Sequence, residues 1–178
     1  MTKLVLGILT VLILVSGNTI SKANSSDSWD MITDNERVEL ITQMLVVWTK
    51  QSVESMKPWG EAITNVCTNQ NECELLAAQA FVESRFASWV LDGSCNDENW
   101  RADQPGWIRK SCDNGIAFGP WQIHDPGLAG QSPIIHANLA IWYLHNRPYA
   151  WTTWKAARAQ VQWWHSILAR VLATRAYK

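Results

Sequence analysis

Glu83 is the residue in this chain whose position most demands a chemical explanation. At about 100° per residue, Leu76, Gln79, Ala80, Glu83 and Phe86 fall in one stripe of a helix predicted from Glu72 to about Ser84. An ionisable carboxyl therefore stands where an apolar side chain belongs. A carboxylate so placed is paired, or keeps its proton because a dry environment disfavours charge, or faces a cleft. In the last two cases it can act as a general acid near neutral pH. In the first it is a structural ion pair, with Arg85 the nearest cation in sequence. No second constellation competes with it. His124, His136, His145 and His165 are scattered without H-E-x-x-H or another metal pattern, and His124 alone lies beside a candidate binding loop. There is no Gly-rich phosphate loop and no Ser or Cys in a nucleophile elbow, so neither a metal nor a cofactor is expected.

The elements that must position Glu83 follow from periodicity and punctuation. Val38, Ile41, Leu45, Trp48 and Ser52 predict a buried helix from Asp34 to about Ser55, capped by Thr33 or Asp34. Pro58 and Gly60 predict an interruption, followed by a short helix over Glu61 to Val66. Asn71, three residues before Glu74, marks the cap of the Glu83 helix. From Ser88 to Gly119 the period is lost. Trp107-Ile108 and Ile116-Ala117-Phe118 flank Asn114-Gly115 as a small β-hairpin would. Ser132-Pro133 opens a helix that ends before Pro148. The last helix starts near Thr152 or Thr153, with Ala157, Val161, Trp164, Leu168 and Val171 inward and Lys155, Gln162, Ser166 and Arg170 outward.

Composition bounds what these elements can build. The chain has 178 residues, 47% hydrophobic and 17% charged, which fits one domain with a real core. Twelve Trp against three Tyr and three Phe supply wide apolar faces with an N–H donor, suited to a core or a sugar-binding groove. Lys3 precedes an apolar run from Leu4 to Val15, and Ser21-Lys22-Ala23 has small residues at the positions a signal peptidase reads. Residues 1–23 are thus expected to be a signal peptide, 24–33 a flexible lead-in and 34–178 a single catalytic domain, exported to the periplasm or beyond. The run is short of the roughly 18 to 20 apolar residues of a membrane span, an uncleaved anchor being the competing reading. Without it, 13 basic residues face 16 acidic ones, which argues against phosphate-neutralising contact with nucleic acid. The basic face of the last helix is read as solvated rather than lipid-bound. The even set Cys67, Cys73, Cys95 and Cys112 suits an oxidising compartment. Three pairings are possible; Cys67–Cys73 and Cys95–Cys112 are favoured because each closes a local loop rich in Asn, Asp or Gly.

Ala77-Ala78-Gln79-Ala80-Phe81-Val82-Glu83-Ser84-Arg85-Phe86 and Gly115-Ile116-Ala117-Phe118-Gly119-Pro120-Trp121-Gln122-Ile123-His124 together resemble the lysozyme-like lytic transglycosylases, the SLT-domain family. Asn138-Leu139-Ala140-Ile141-Trp142-Tyr143-Leu144 is similar to that family's next helix, so the likeness spans roughly residues 72 to 144. It implies an α+β, predominantly α-helical lysozyme-like fold with a small β-hairpin region beside a groove for peptidoglycan glycan strands. Glu83 would be the single catalytic acid/base, breaking the bond between N-acetylmuramic acid and N-acetylglucosamine and leaving a 1,6-anhydro ring. Ser84 would orient the acid or touch substrate, and Gln122 would hydrogen-bond an N-acetyl or sugar group. Gly119 would allow close backbone approach, and Trp121 would stack on a sugar face. The family's Ala-Tyr-Asn segment is replaced here by Pro148-Tyr149-Ala150, with Tyr149 as its substitute.

That departure, and the acids Asp92, Asp97, Glu98, Asp103, Asp113 and Asp125, keep a hydrolytic lysozyme as the alternative, since ordinary glycosidases use two carboxylates. A wall-binding or envelope-assembly protein without strong chemistry is the third reading. A secretion or conjugation apparatus is compatible as partner with all three.

Overall fold

The computed structural model describes residues 29–146 and 154–176, with side chains over 29–146 and 156–167; the leader and Tyr149 lie outside the described residues. The protein is predominantly helical. α1 (Asp34–Thr49) starts on a reciprocal cap in which the Glu36 N–H donates to Thr33 Oγ1 and the Glu36 carboxylate accepts from the Thr33 N–H. It ends earlier than the apolar row implies, because Lys50 turns left-handed (φ 62°) and Ser52 caps a new helix, α2 (Val53–Val66).

Pro58 and Gly60 lie inside α2 and do not break it. Pro58 is exposed, and its ring leaves only the carbonyl one turn back without its donor. Gly60 is there for space: a Cβ would strike the Thr42 hydroxyl and stand 3.1 Å from the Thr42 backbone nitrogen. The residue that reads as a helix breaker is a point of close approach between α1 and α2.

α3 (Gln70–Ser84) begins at Asn69, two residues before the expected cap, with Asn69 Oδ1 accepting from the Glu72 N–H at 3.0 Å. Every residue from Cys73 to Phe81 is buried, Glu74 included at 2% exposure. α1, α2, α8 (Pro133–Asn146) and α9 (Trp154–Ala176) all pack against it. Two histidines from the C-terminal helices hold its first turns. His145 Nε2 lies 2.8 Å from Glu72 Oε1, and His165 Nε2 lies 2.7 Å from Glu74 Oε2. Burial would raise the Glu72 carboxyl, but the Thr68 hydroxyl and N–H and the His145 ring outweigh it and keep it below its ordinary value. In α9, Ala157, Val161 and Trp164 are buried and Gln162 is exposed. The side chains of Lys155, Leu168, Arg170 and Val171 lie outside those described.

The core is aromatic at two points. Trp48 meets Phe81 at 5.5 Å and Trp164 at 6.4 Å between centroids. Trp59 touches Phe86, Trp121 and His136 at 5.9, 6.2 and 6.0 Å. Part of the expected lead-in belongs to this body: Trp29 is 4% exposed, its carbonyl accepts from the Arg37 guanidinium, and that guanidinium covers its ring.

Between α3 and α8 the chain makes four short helices, α4 (Ser88–Leu91), α5 (Glu98–Ala102), α6 (Gly106–Arg109) and α7 (Ser111–Gly115), with single 3₁₀ turns at Ser94–Asn96 and Pro126–Leu128. The expected hairpin around Asn114-Gly115 is not formed. Trp107 and Ile108 lie in α6, directly after Pro105. A hairpin turn also needs extended flanks, whereas Cys112 and Asp113 are left-handed like Asn114 and Ile116 is right-handed helical, so the chain coils back on itself. Among the described residues the β-structure is one antiparallel bridge, Phe118 with Ile123. Cys67 pairs with Cys73 and Cys95 with Cys112, with Cα atoms 5.3 and 5.9 Å apart. No described helix is long and apolar enough to cross a membrane. Two disulfides and no such helix are compatible with an exported protein.

Gly60→Ala tests the α1–α2 contact. The strike on Thr42 outweighs the better helix propensity of alanine, and we expect a net loss of about 1–2 kcal/mol, read as a lower urea midpoint at unchanged m-value.

Candidate active site

α3 stops where it does because of Ser84. Its hydroxyl donates to the Ala80 carbonyl at 2.9 Å and accepts from the Phe86 N–H at 3.0 Å, across a left-handed turn at Arg85 (φ 57°) and Phe86 (φ 52°). Phe86 swings into the core at 0% exposure, while Glu83, one residue before the helix end, remains half-buried at the surface. Both partners of the Ser84 hydroxyl are backbone groups, so its action on Glu83 runs through the turn.

Glu83 lines a cleft of about 700 Å³. Its lining comes from the end of α3, from Trp89 and Val90 beyond it, from Trp107, Lys110 and the left-handed Cys112 and Asp113, and from Gln122, Ile123 and His124. Gln79, 1% exposed and one helical turn before Glu83, donates its amide to Glu83 Oε1 at 2.8 Å. The neighbouring cation is occupied elsewhere, with the Arg85 guanidinium 4.6 Å over the Phe81 ring. The acid thus sits at an open furrow in a half-dry position, held by a neutral donor from a buried residue.

Backbone strain is concentrated around this cleft. Of the non-glycine residues with positive φ among those described, all but Lys50 lie in three segments that border it: Arg85 and Phe86, Cys112 to Asn114, and Gln122. Such conformations cost about 1–3 kcal/mol each and persist only where surrounding contacts impose them. Here the Cys95–Cys112 bridge pins the middle segment, and Gln122 Nε2 donates to the Gly119 carbonyl at 3.0 Å and to Cys112 Sγ at 3.4 Å. The product of these constraints is a pair on the cleft surface, His124 Nε2 and Asp113 Oδ2, 2.6 Å apart.

The structure divides the expected site residues. Glu83, Ser84 and Gln122 line the cleft. Trp121 does not reach it: at 1% exposure it packs on Trp59 and donates its indole N–H to the Leu76 carbonyl at 2.9 Å, fastening the loop to α3. The aromatic faces available to a ligand are Trp89 and Trp107, edge to face at 6.0 Å, with Trp107 70% exposed. Neither could be ranked among twelve tryptophans, since both lie in the stretch without periodicity. Gly119 borders a separate cavity of about 640 Å³ with Trp59, Phe118 and His136. Its φ of +65° and the His136 imidazole against its Cα face leave room for no side chain. Tyr143 of α8 also lines the cleft. Among the described residues no group of three or more His, Cys, Asp or Glu could hold a metal ion.

No family model, curated protein or solved structure matches the chain. The cleft brings together a half-buried carboxyl, an amide side chain and the rings of Trp89 and Trp107.

His136, beneath Gly119, gives this region a pH dependence. Burial lowers its proton affinity below the ordinary value, and a hydrogen bond to the Leu128 backbone only partly opposes this. The unfolded chain then binds the extra proton first. Stability is full above about pH 6.5 and falls as the pH drops below that value. Thermal unfolding followed from about pH 8 to about pH 5 should show this fall in the parent, and a shallower fall in His136→Phe.

Proposed function

We propose that the protein is an exported peptidoglycan-cleaving enzyme, a divergent lysozyme-like lytic transglycosylase with Glu83 as its acid and base. The observation that carries this reading is Glu83 itself: half-buried, at the lip of a cleft, hydrogen-bonded by a buried neutral amide. The protonated carboxyl donates to the oxygen joining N-acetylmuramic acid to N-acetylglucosamine as the bond from that oxygen to the anomeric carbon breaks. The resulting carboxylate accepts the proton of the muramic 6-hydroxyl, whose oxygen bonds to the same anomeric carbon. Proton and charge return to their starting positions, and no water is consumed. Trp89 and Trp107 supply apolar faces for sugar rings, and the Gln122 side-chain oxygen, its NH2 being engaged by Gly119 and Cys112, can accept from the N–H of an N-acetyl group.

A second reading, hydrolysis by a lysozyme, is favoured by one observation. Asp113 lines the same cleft and is held by His124, so a second carboxylate is present to direct a water molecule.

The disulfide-bonded protein should release soluble fragments from purified sacculi, and Glu83→Gln should slow release by about 10²-fold or more. Equal rates in parent and variant would remove Glu83 from the mechanism. Mass spectrometry of the fragments separates the readings: anhydro ends are one water lighter than the reducing ends of hydrolysis. Binding without release would indicate a wall-binding protein.

A further inference from the structure

The Glu83 cleft presents two cationic side chains that cutting a neutral glycan does not require. Arg85 and Lys110 are exposed and both line it. Among the described residues neither forms a salt bridge, and the Arg85 guanidinium lies over the face of Phe81. Asp113, which also lines the cleft, is paired with His124. Two exposed cations with no salt-bridge partner among the described residues thus line the cleft.

N-acetylated sugar rings offer nothing to such cations. The muramic side of a glycan strand does, through the carboxylate of the lactyl ether or, where that is amidated by a peptide stem, the acidic groups of the stem. On the basis of the glycan-cleaving reading, we infer that Arg85 and Lys110 select strands by the carboxylates attached to muramic acid. Arg85 suits this role. Its backbone is fixed in the left-handed turn and its side chain lies on an aromatic ring, so little freedom is lost when the guanidinium fork meets a carboxylate. Lys110 immediately precedes α7 and its left-handed residues and lines the same cleft. Each contact, made in a wet cleft, is worth roughly two- to fivefold in affinity and weakens with salt.

The test is binding by the Glu83→Gln protein, which spares the ligand, to three glycans of equal length: strands carrying peptide stems, amidase-stripped strands with the lactyl carboxylate only, and chitin oligomers with neither. In low salt the carboxylate-bearing strands should bind roughly tenfold more tightly than chitin, and the gap should close in high salt. Stem-bearing strands binding more tightly than stripped ones would assign the contact to the stem; equal binding of the two, both above chitin, would assign it to the lactyl group. Lys110→Gln should narrow the gap. Arg85→Asn, which keeps a residue tolerant of left-handed φ, should narrow it further. Equal binding of all three glycans, or a full gap in the double variant with unchanged circular dichroism, would overturn the inference. If the parent cleaves nothing yet the gap is present, the cleavage reading fails and carboxylate recognition stands.

Discussion

A helix packed on every side can offer a polar group to solvent only at its ends, and that constraint governs the whole molecule. From Cys73 to Phe81, α3 has no free face. What the protein presents at the C-terminal end therefore depends on how the helix is stopped. The Ser84 hydroxyl and the left-handed pair Arg85 and Phe86 stop it abruptly, sending Phe86 into the Trp59 cluster and leaving Glu83 at the boundary. An extra turn of helix would carry Arg85 and Phe86 onto other faces and dismantle both the cluster and the cleft wall. Trp121 reinforces the arrangement from outside, because its indole bond to Leu76 fixes the loop bearing Gln122 and His124 relative to the same helix.

The part of the cleft lining beyond α3 is built differently. It has few long elements and a small core of Val90, Cys95, Cys112 and Ala117. Its order comes from local devices: the Cys95–Cys112 bridge, the Asn96 side chain donating to the Gly115 and Ala117 carbonyls, and the Arg101 guanidinium donating to the Cys95 carbonyl. Together these impose backbone conformations that an unconstrained chain would avoid. The α3 part of the cleft lining is thus set by the main core, and the rest by a covalent tie and a few polar clasps.

Periodicity made the helical character and the long helices legible. The buried faces of α1 and α3, the Ser132-Pro133 start of α8 and the inward residues Ala157, Val161 and Trp164 all follow from apolar spacing. Punctuation misled where tertiary packing reversed its meaning. Gly60 and Pro58 read as breakers, but Gly60 is a contact point, and the real break at Lys50 needed only a left-handed residue that carries no sequence signal. Asn114-Gly115 read as a hairpin turn because nothing local announces that Cys112 and Asp113 are left-handed as well. At the site, the shared helix face of Glu83 with Leu76, Gln79 and Ala80 is written in spacing. The companions Trp89, Trp107, Lys110 and Asp113 are not, because they gather through short helices and a disulfide rather than through any repeat.

The clasps on the first turns of α3 bear on the order in which the chain can assemble. Glu72 is held by a residue 73 positions later and Glu74 by one 91 positions later. A polypeptide emerging from its amino end must therefore leave the central helix half-wrapped, with a carboxylate at the heart of the domain still wet, until almost the last segment has arrived. Such long-range closure places the drying of that carboxylate among the late events of folding.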